Sequence, residues 1–369
     1  MSLVLAHISD LHVSRFGEHV SSLRSRRLHG QAAKPIKNGA PWEPLENVDG
    51  WRIERRAREL RLVDELGTVH QRRKLDSSGE DKLRRELAAL VRERLRTEHG
   101  RLAAQLPSPA DVERLLDGDP GNTNLLFCRA AHQLLEDRPD WILITGDVTD
   151  DGVGYDLVLA ALAPYVERGR VLAIPGNHDI YDSPPIVVPA HARKGRREKR
   201  ELWAAFARAL ELPGEGAWLR ELDGALVCGF DTCVPARTPF SASGAIADES
   251  LDALETALES AAPGACRVAM LHHHVVNLPF RAVGLAPWQL GMRLRNARAV
   301  YDFFQRHEFR AVLNGHRHVG YRYHPNHAPM FVSAPSATLG CRSGSAPRPF
   351  YWRIEIADRE IASVRERLL

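Results

Sequence analysis

The chain has 369 residues, and its apolar and charged fractions of 44% and 26% are those of a globular protein, which excludes a disordered, collagen-like or disulfide-scaffold chain. Its length suggests two domains, or one large domain with an insertion. Against 47 Asp and Glu, 50 Lys and Arg leave a net charge of +3, too small to argue for a nucleic-acid partner by itself.

Residues 1–10 lack the basic start and long apolar run of a signal peptide, and they read instead as a first buried strand over 3–9. No later stretch approaches the ~18 consecutive apolar residues of a transmembrane helix. Further short apolar runs predict strands over 141–145, 171–174, 226–230, 267–271, 311–313, 331–333 and 352–356. Helical patterns lie between them over 125–136, 155–167, 201–210, 249–260 and 298–307, with Asp248 and Glu249 marking one start. Strands alternating with helices predict an α/β core.

Residues 13–123 break this rhythm and divide the chain into a core of 1–12 plus 124–369 and an insertion. The stretch 15–50 is rich in Gly and Pro and reads as irregular. Over 52–106 the spacing of Ile53, Ala57, Leu60 and Val63, then of Leu83, Leu87, Leu90 and Leu102, predicts a basic helical hairpin turning at Asp76, Ser77, Ser78 and Gly79. Its charge fits a solvated face or an anionic partner. The five cysteines, Cys128, Cys228, Cys233, Cys266 and Cys341, form no C-x-x-C pair. They read as small core residues of a cytoplasmic, reducing compartment.

Five polar pieces each follow an apolar run: Asp10-Leu11-His12, Gly146-Asp147-Val148-Thr149-Asp150, Gly176-Asn177-His178-Asp179, His272-His273-His274 and Gly315-His316-Arg317-His318. Singly, each is a weak signal. Together they place acids and imidazoles at the C-terminal ends of strands, where open α/β sheets bind ligands. Unpaired Asp and His there would be costly without a compensating cation. Asp, Asn and His without a thiolate suit a borderline or hard divalent ion.

In this order the five pieces resemble the motifs of the calcineurin-like metallophosphoesterase superfamily, which they match from Asp10 to His318 with the insertion set aside. The resemblance implies an α+β sandwich: two mixed β-sheets packed face to face, flanked by helices, with two divalent metal ions at the strand ends. It implies that Asp10, His12, Asp147 and His318 hold one ion, with Asp147 bridging. Asn177, one histidine of the triple run and His316 would hold the other. Val275 stands where relatives often carry a proline, and that register picks His273, with His272 next. His178 is the histidine that does not ligate, with Asp150 as its orienting carboxylate and Asp179 as the competing one. Two ions about 4 Å apart clamp the attacking and leaving oxygens of an in-line displacement, so a bridging hydroxide would attack phosphorus. Manganese is the first expectation, ahead of iron, zinc, cobalt and magnesium.

Three features lie outside these motifs. Residues 193–200 carry six basic residues and one acidic, either a solvated helix start or a clamp for phosphates. The connection 275–292, with Leu278, Pro279, Phe280, Leu285, Pro287 and Trp288, is a packed loop, a lid or an apolar binding wall. Trp42 and Trp51 beside basic residues fit core packing or a peripheral membrane contact. The sequence therefore predicts a phosphodiesterase acting on a small or lipid-linked phosphoester or pyrophosphate. A DNA or RNA nuclease using the basic segments is the alternative, and a non-catalytic scaffold is the alternative of another class.

Overall fold

The computed structural model describes residues 2–14, 17, 41–48, 51–63, 69–75, 79–97, 99–150, 152–181, 196–234, 242–261, 263–277, 292, 294–326, 328–340 and 348–369. Outside the described residues lie 193–195 of the basic run, 278–291 of the apolar connection, most of the irregular stretch 15–50, and Cys341.

Two mixed sheets form the core. In the first, β1 (Leu3–Ile8) runs parallel to β6 (Trp141–Ile144), and β6 parallel to β7 (Val171–Ala173). On the other side of β1 lie β14 (Phe350–Ala357) and β15 (Glu360–Leu368), both antiparallel to their neighbours. The second sheet has the order β12 (Tyr321–Tyr323), β13 (Met330–Ser333), β11 (Phe309–Asn314), β10 (Cys266–Leu271), β9 (Ala225–Phe230) and β8 (Ala217–Leu222), with the four central strands parallel.

The packing follows from side-chain alternation. In the second sheet Val227, Val268, Met270, Ala311 and Leu313 point one way and share a core with Leu5, Ile142 and Ile144 of the first. Leu226, Cys228, Ala269, Leu271 and Val312 point the other way, into a second core with the helices Asp248–Ser260 and Ala297–Arg306. Each fully buried Leu, Ile or Val contributes about 1.5–3 kcal/mol relative to exposure. The strands β1, β6 and β7 are apolar runs because both faces of the first sheet are covered, the outer one by residues such as Phe127 and Leu134 of the helix Thr123–Asp137. The expected pair of sheets, face to face and flanked by helices, is the fold observed.

Each of the eight predicted strands is present, with ends moved by at most two residues. The helix expected over 155–167 is two, Tyr155–Ala161 and Ala163–Val166, because Pro164 has no N–H to continue the first ladder. The described cysteines, Cys128, Cys228, Cys233 and Cys266, are free and buried.

The insertion differs from the expected helical hairpin. Residues 43–74 form an antiparallel sheet of β2 (Glu43–Val48), β3 (Trp51–Arg56), β4 (Glu59–Val63) and β5 (Val69–Lys74), followed by the helix Glu80–Thr97. The helical spacing of Ile53, Ala57 and Leu60 was coincidental. Ala57 lies exposed in a two-residue turn at φ 51°, and the buried residues alternate as Trp51 and Ile53, then Leu60 and Leu62. These strands share a core with Leu87, Ala88 and Val91 of the helix. By contrast Leu102, Val112 and Leu116 pack into the main core. The chain leaves and re-enters the main fold at one place. Gly17 O accepts from Thr123 N at 2.7 Å, and the Asn124 amide bonds Ser14 N and O at 3.0 and 2.8 Å.

Candidate metal centre

The C-terminal ends of β1, β6, β7, β10 and β11 carry the five polar pieces, and parallel pairing brings these ends together. Asp10 N donates to Gly146 O and His12 N to Asp147 O, both at 3.0 Å, and Gly315 N donates to His272 O at 3.2 Å. Asp10, His12, Asp147, His316 and His318 all have φ between 49° and 73°, a region that non-glycine residues seldom enter. Such strain persists only where the surroundings impose it, and it collects at functional sites. Two motif glycines are required by close approach. A Cβ on Gly315 would stand 1.9 Å from Ser9 Oγ, and one on Gly176 would stand 2.2 Å from Asp147 N and Oδ1.

Three groups of metal-capable side chains result among the described residues: Asp10, His12 and His318; Asp147, His272 and His316; and, toward the open side, His12, Asp150 and His178. In the first, His318 Nε2 is 3.3 Å from Asp10 Oδ1 and 2.9 Å from His12 Nε2. In the second, His272 Nε2 faces Asp147 Oδ2 at 3.3 Å, Asn177 Oδ1 at 3.2 Å and His316 Nδ1 at 3.2 Å. His272 Nδ1 lies 2.7 Å from Thr145 O, a carbonyl that can only accept. The Nδ1 proton is therefore engaged, and Nε2 turns its lone pair toward the Asp147 and Asn177 oxygens in the neutral ring. His316 Nε2 is buried with no hydrogen-bond partner among the described residues. A carboxylate, an amide oxygen and ring nitrogens converging at 3.2–3.3 Å, beside an orphaned ring nitrogen, are a donor set that a proton or a cation satisfies, and the residues fit a divalent metal.

Of the sequence-predicted residues, His273 is placed elsewhere. Its Nδ1 meets Thr232 Oγ1 at 2.7 Å and its Nε2 meets Ala242 O at 2.9 Å, so both ring nitrogens are occupied. His272, the second choice by register, stands in the cluster. The proline register misleads because the first histidine after β10, not the second, turns toward the first sheet.

Asp150 is shared. Its Oδ1 is 2.6 Å from His12 Nδ1 and 3.1 Å from His178 Nδ1. The His178 side chain is 16% exposed where those of His12, His272 and His318 are at most 4%, so it is the imidazole that faces incoming molecules. Asp179 does not orient it. Its carboxylate accepts from Val148 N, Thr149 N, Gly176 N and Tyr155 OH at 2.9–3.1 Å, bracing the two loops from beneath.

Charge is balanced within the cluster. Burial works against a charged His12, but Asp150 overrides it and pushes the imidazole up to about 9. Burial likewise opposes a charged His272, and Asp147 raises it to about 9. Burial would raise Asp147, yet His272 and His178 hold it well below the usual carboxylate range. Burial holds His273 and His316 neutral.

Several supporting residues carry no sequence signal. Ser336 Oγ donates to Asp10 O at 2.7 Å and Thr338 Oγ1 to Leu11 O at 3.0 Å. His274 Nε2 meets Gly315 O at 2.8 Å and so fixes the turn that carries His316. Only the adjacency of His274 to the cluster could have marked it.

Carboxylates and imidazoles gathered at the common end of two facing sheets define the site of a metal-dependent hydrolase. The chain belongs to the calcineurin-like phosphoesterases, whose family model matches residues 111–320, and its activity is metal-dependent phosphoester hydrolysis. Asp10 and His12 precede that span, and the fold returns them to it through the pairing of β1 with β6. No curated protein matches the chain. Among solved structures, a dimetal phosphatase from Danio rerio is 12% identical, with 96% of this chain and 93% of that one covered and a TM-score of 0.47. A purple acid phosphatase from yellow lupin seeds is also 12% identical, covering 63% of this chain and 45% of its own at 0.47. A phosphopantetheinyl hydrolase from Mycobacterium tuberculosis is 14% identical, covering 53% and 79% at 0.36. No helix among the described residues is long and apolar enough to cross a membrane.

Proposed function

We propose that the protein is a phosphodiesterase with a binuclear divalent centre, acting on a small or lipid-linked substrate in the cytoplasm. The observation that carries this reading is the facing of His272 Nε2 toward Asp147, Asn177 and His316, beside the facing of His12 and His318. Asp10, His12, Asp147 and His318 would hold one ion, and Asp147, Asn177, His272 and His316 the other, with Asp147 common to both. Nitrogen and oxygen donors without thiolate suit manganese, with iron, zinc, cobalt or magnesium as substitutes. When bound, the ions supply Lewis acidity and lower the pKa of coordinated water.

The chain's own residues do the rest. Asp150 holds His178 by Nδ1, which leaves Nε2 to hold a proton at the phosphoryl or leaving oxygen. Lys199 and Arg200 of the basic run bind protein groups instead: Lys199 the carbonyls of Asp150 and His178, Arg200 the carboxylate of Asp231. Among the described residues His178 is the imidazole left to meet the phosphoryl group, and one such donor suits the single charge of a diester better than the double charge of a monoester. The basic insertion does not favour the nuclease alternative, because Arg52 and Arg61 pair with Glu54, Arg55 with Glu43 and Glu80, and Arg84 with Glu46.

Protein stripped of metal and reloaded with manganese should cleave bis(p-nitrophenyl) phosphate with a higher kcat/KM than p-nitrophenyl phosphate. A preference for the monoester overturns the diester assignment. Cleavage of neither by protein carrying two metals overturns the phosphodiesterase reading.

A further inference from the structure

Lys199 lies in the first turn of the helix Arg196–Ala209 and is fully buried. Its Nζ donates to Asp150 O at 3.2 Å and to His178 O at 2.7 Å. These carbonyls belong to two different segments, the loop following β6 and the one-turn helix Asn177–Ile180 following β7, and the side chains of the same two residues meet as the Asp150–His178 pair. An ammonium has only donors to offer, so it draws both carbonyls to one point. The stem is enclosed as well: a Cβ on Gly152 would stand 3.6 Å from Lys199 Cγ. The next residue fastens the helix on its other side. Arg200 pairs with Asp231 and donates to Cys233 O at 3.0 Å, in the segment that follows β9. The head of Lys199 therefore has a fixed origin.

We propose that Lys199 is a positioning residue for the reaction. By tying the backbone of Asp150 to that of His178, it sets their side-chain contact and so aims the His178 ring at the phosphoryl group. The inference rests on the role given to His178 above.

The test uses the full chain reloaded with manganese, as wild type, Lys199→Met, His178→Ala and the double variant. Each is assayed on bis(p-nitrophenyl) phosphate and on diphenyl phosphate, with metal content measured alongside. Phenoxide is the poorer leaving group and depends more on a proton from His178. Lys199→Met should lower kcat about 10-fold on the nitrophenyl ester and about 100-fold on the phenyl ester, with KM and metal content unchanged. In the His178→Ala background it should lower kcat no further, because its effect passes through His178. An equal loss on both esters, or a full further loss in the double variant, overturns the inference. Wild-type rates in His178→Ala would instead overturn the role of His178 and the inference with it. Should Lys199→Met lose metal or melt early, Lys199→Gln, which keeps a donor, enters the same cycle. It should show a smaller loss with the same split between esters, and an even loss overturns the inference.

Discussion

His12 Nε2 and His318 Nε2 stand 2.9 Å apart, one at the end of a strand in the first sheet and the other at the end of a strand in the second. Because His12 Nδ1 is engaged by Asp150, its Nε2 in the neutral ring can only accept. Two ring nitrogens this close need a shared proton or a cation between them across the seam between the sheets. Metal removal should therefore cost stability as well as activity. At a free ion concentration 1,000-fold above the Kd, binding contributes about 4 kcal/mol. Chelation should lower Tm by about 5–10 °C, followed by calorimetry, and manganese should restore it. An unchanged Tm would show that no ion occupies the seam.

The adjacent histidines His272 and His273 should separate cleanly. His272→Ala removes the nitrogen that faces Asp147, Asn177 and His316, so it should lower the metal content by one ion per chain and abolish most activity. His273→Ala leaves that cluster intact. It removes two buried hydrogen bonds, to Thr232 and Ala242, and should cost about 1–3 kcal/mol of stability with metal content unchanged. Elemental analysis beside urea unfolding distinguishes them, and the reverse pattern would restore His273 to the site.

That pair also marks where the sequence stops being legible. The order of motifs identifies the strand ends, because each motif follows an apolar run that the sheet buries on both faces. Which of two neighbouring histidines turns inward depends on how β10 ends against the first sheet, and periodicity does not carry that. The same limit explains the insertion. Ile53, Ala57 and Leu60 fit a helical stripe, but the exposed turn at Ala57 and the alternation around Trp51 and Leu62 make them a hairpin. The edge strands β8, β12 and β15 carry no clear signal because half-exposed strands interrupted by charged residues lack the unbroken apolar runs that mark central ones.

His178 and Asp147 should differ in kind. His178 lies at the open side of the cluster, grouped with His12 and Asp150 and apart from the residues assigned to the two ions, so His178→Ala should lower kcat about 10²–10⁴-fold with metal content unchanged. Asp147 stands against His272 and accepts from His178 N at 2.8 Å, so Asp147→Ala should lose metal and activity together. Loss of metal in His178→Ala would move that residue into the ligand set.

Metal binding should be coupled to protons. In the metal-free protein His12 and His272 are raised from the ordinary value of 6.5 to about 9 by their carboxylate partners, so both are charged at pH 7. An ion that takes their Nε2 atoms must displace those protons, and its apparent affinity should rise with pH by about tenfold per unit for each proton released, up to about pH 9. Calorimetric titrations in two buffers of different ionisation heat give the proton count. The sign for stability is the opposite. Groups whose folded pKa is raised contribute stability that is complete below their unfolded value and fades as pH climbs through the folded one. The metal-free protein should therefore lose Tm between pH 7 and 9 while the manganese-loaded protein holds or gains. Parallel curves for the two forms would mean that these imidazoles are neutral before metal arrives.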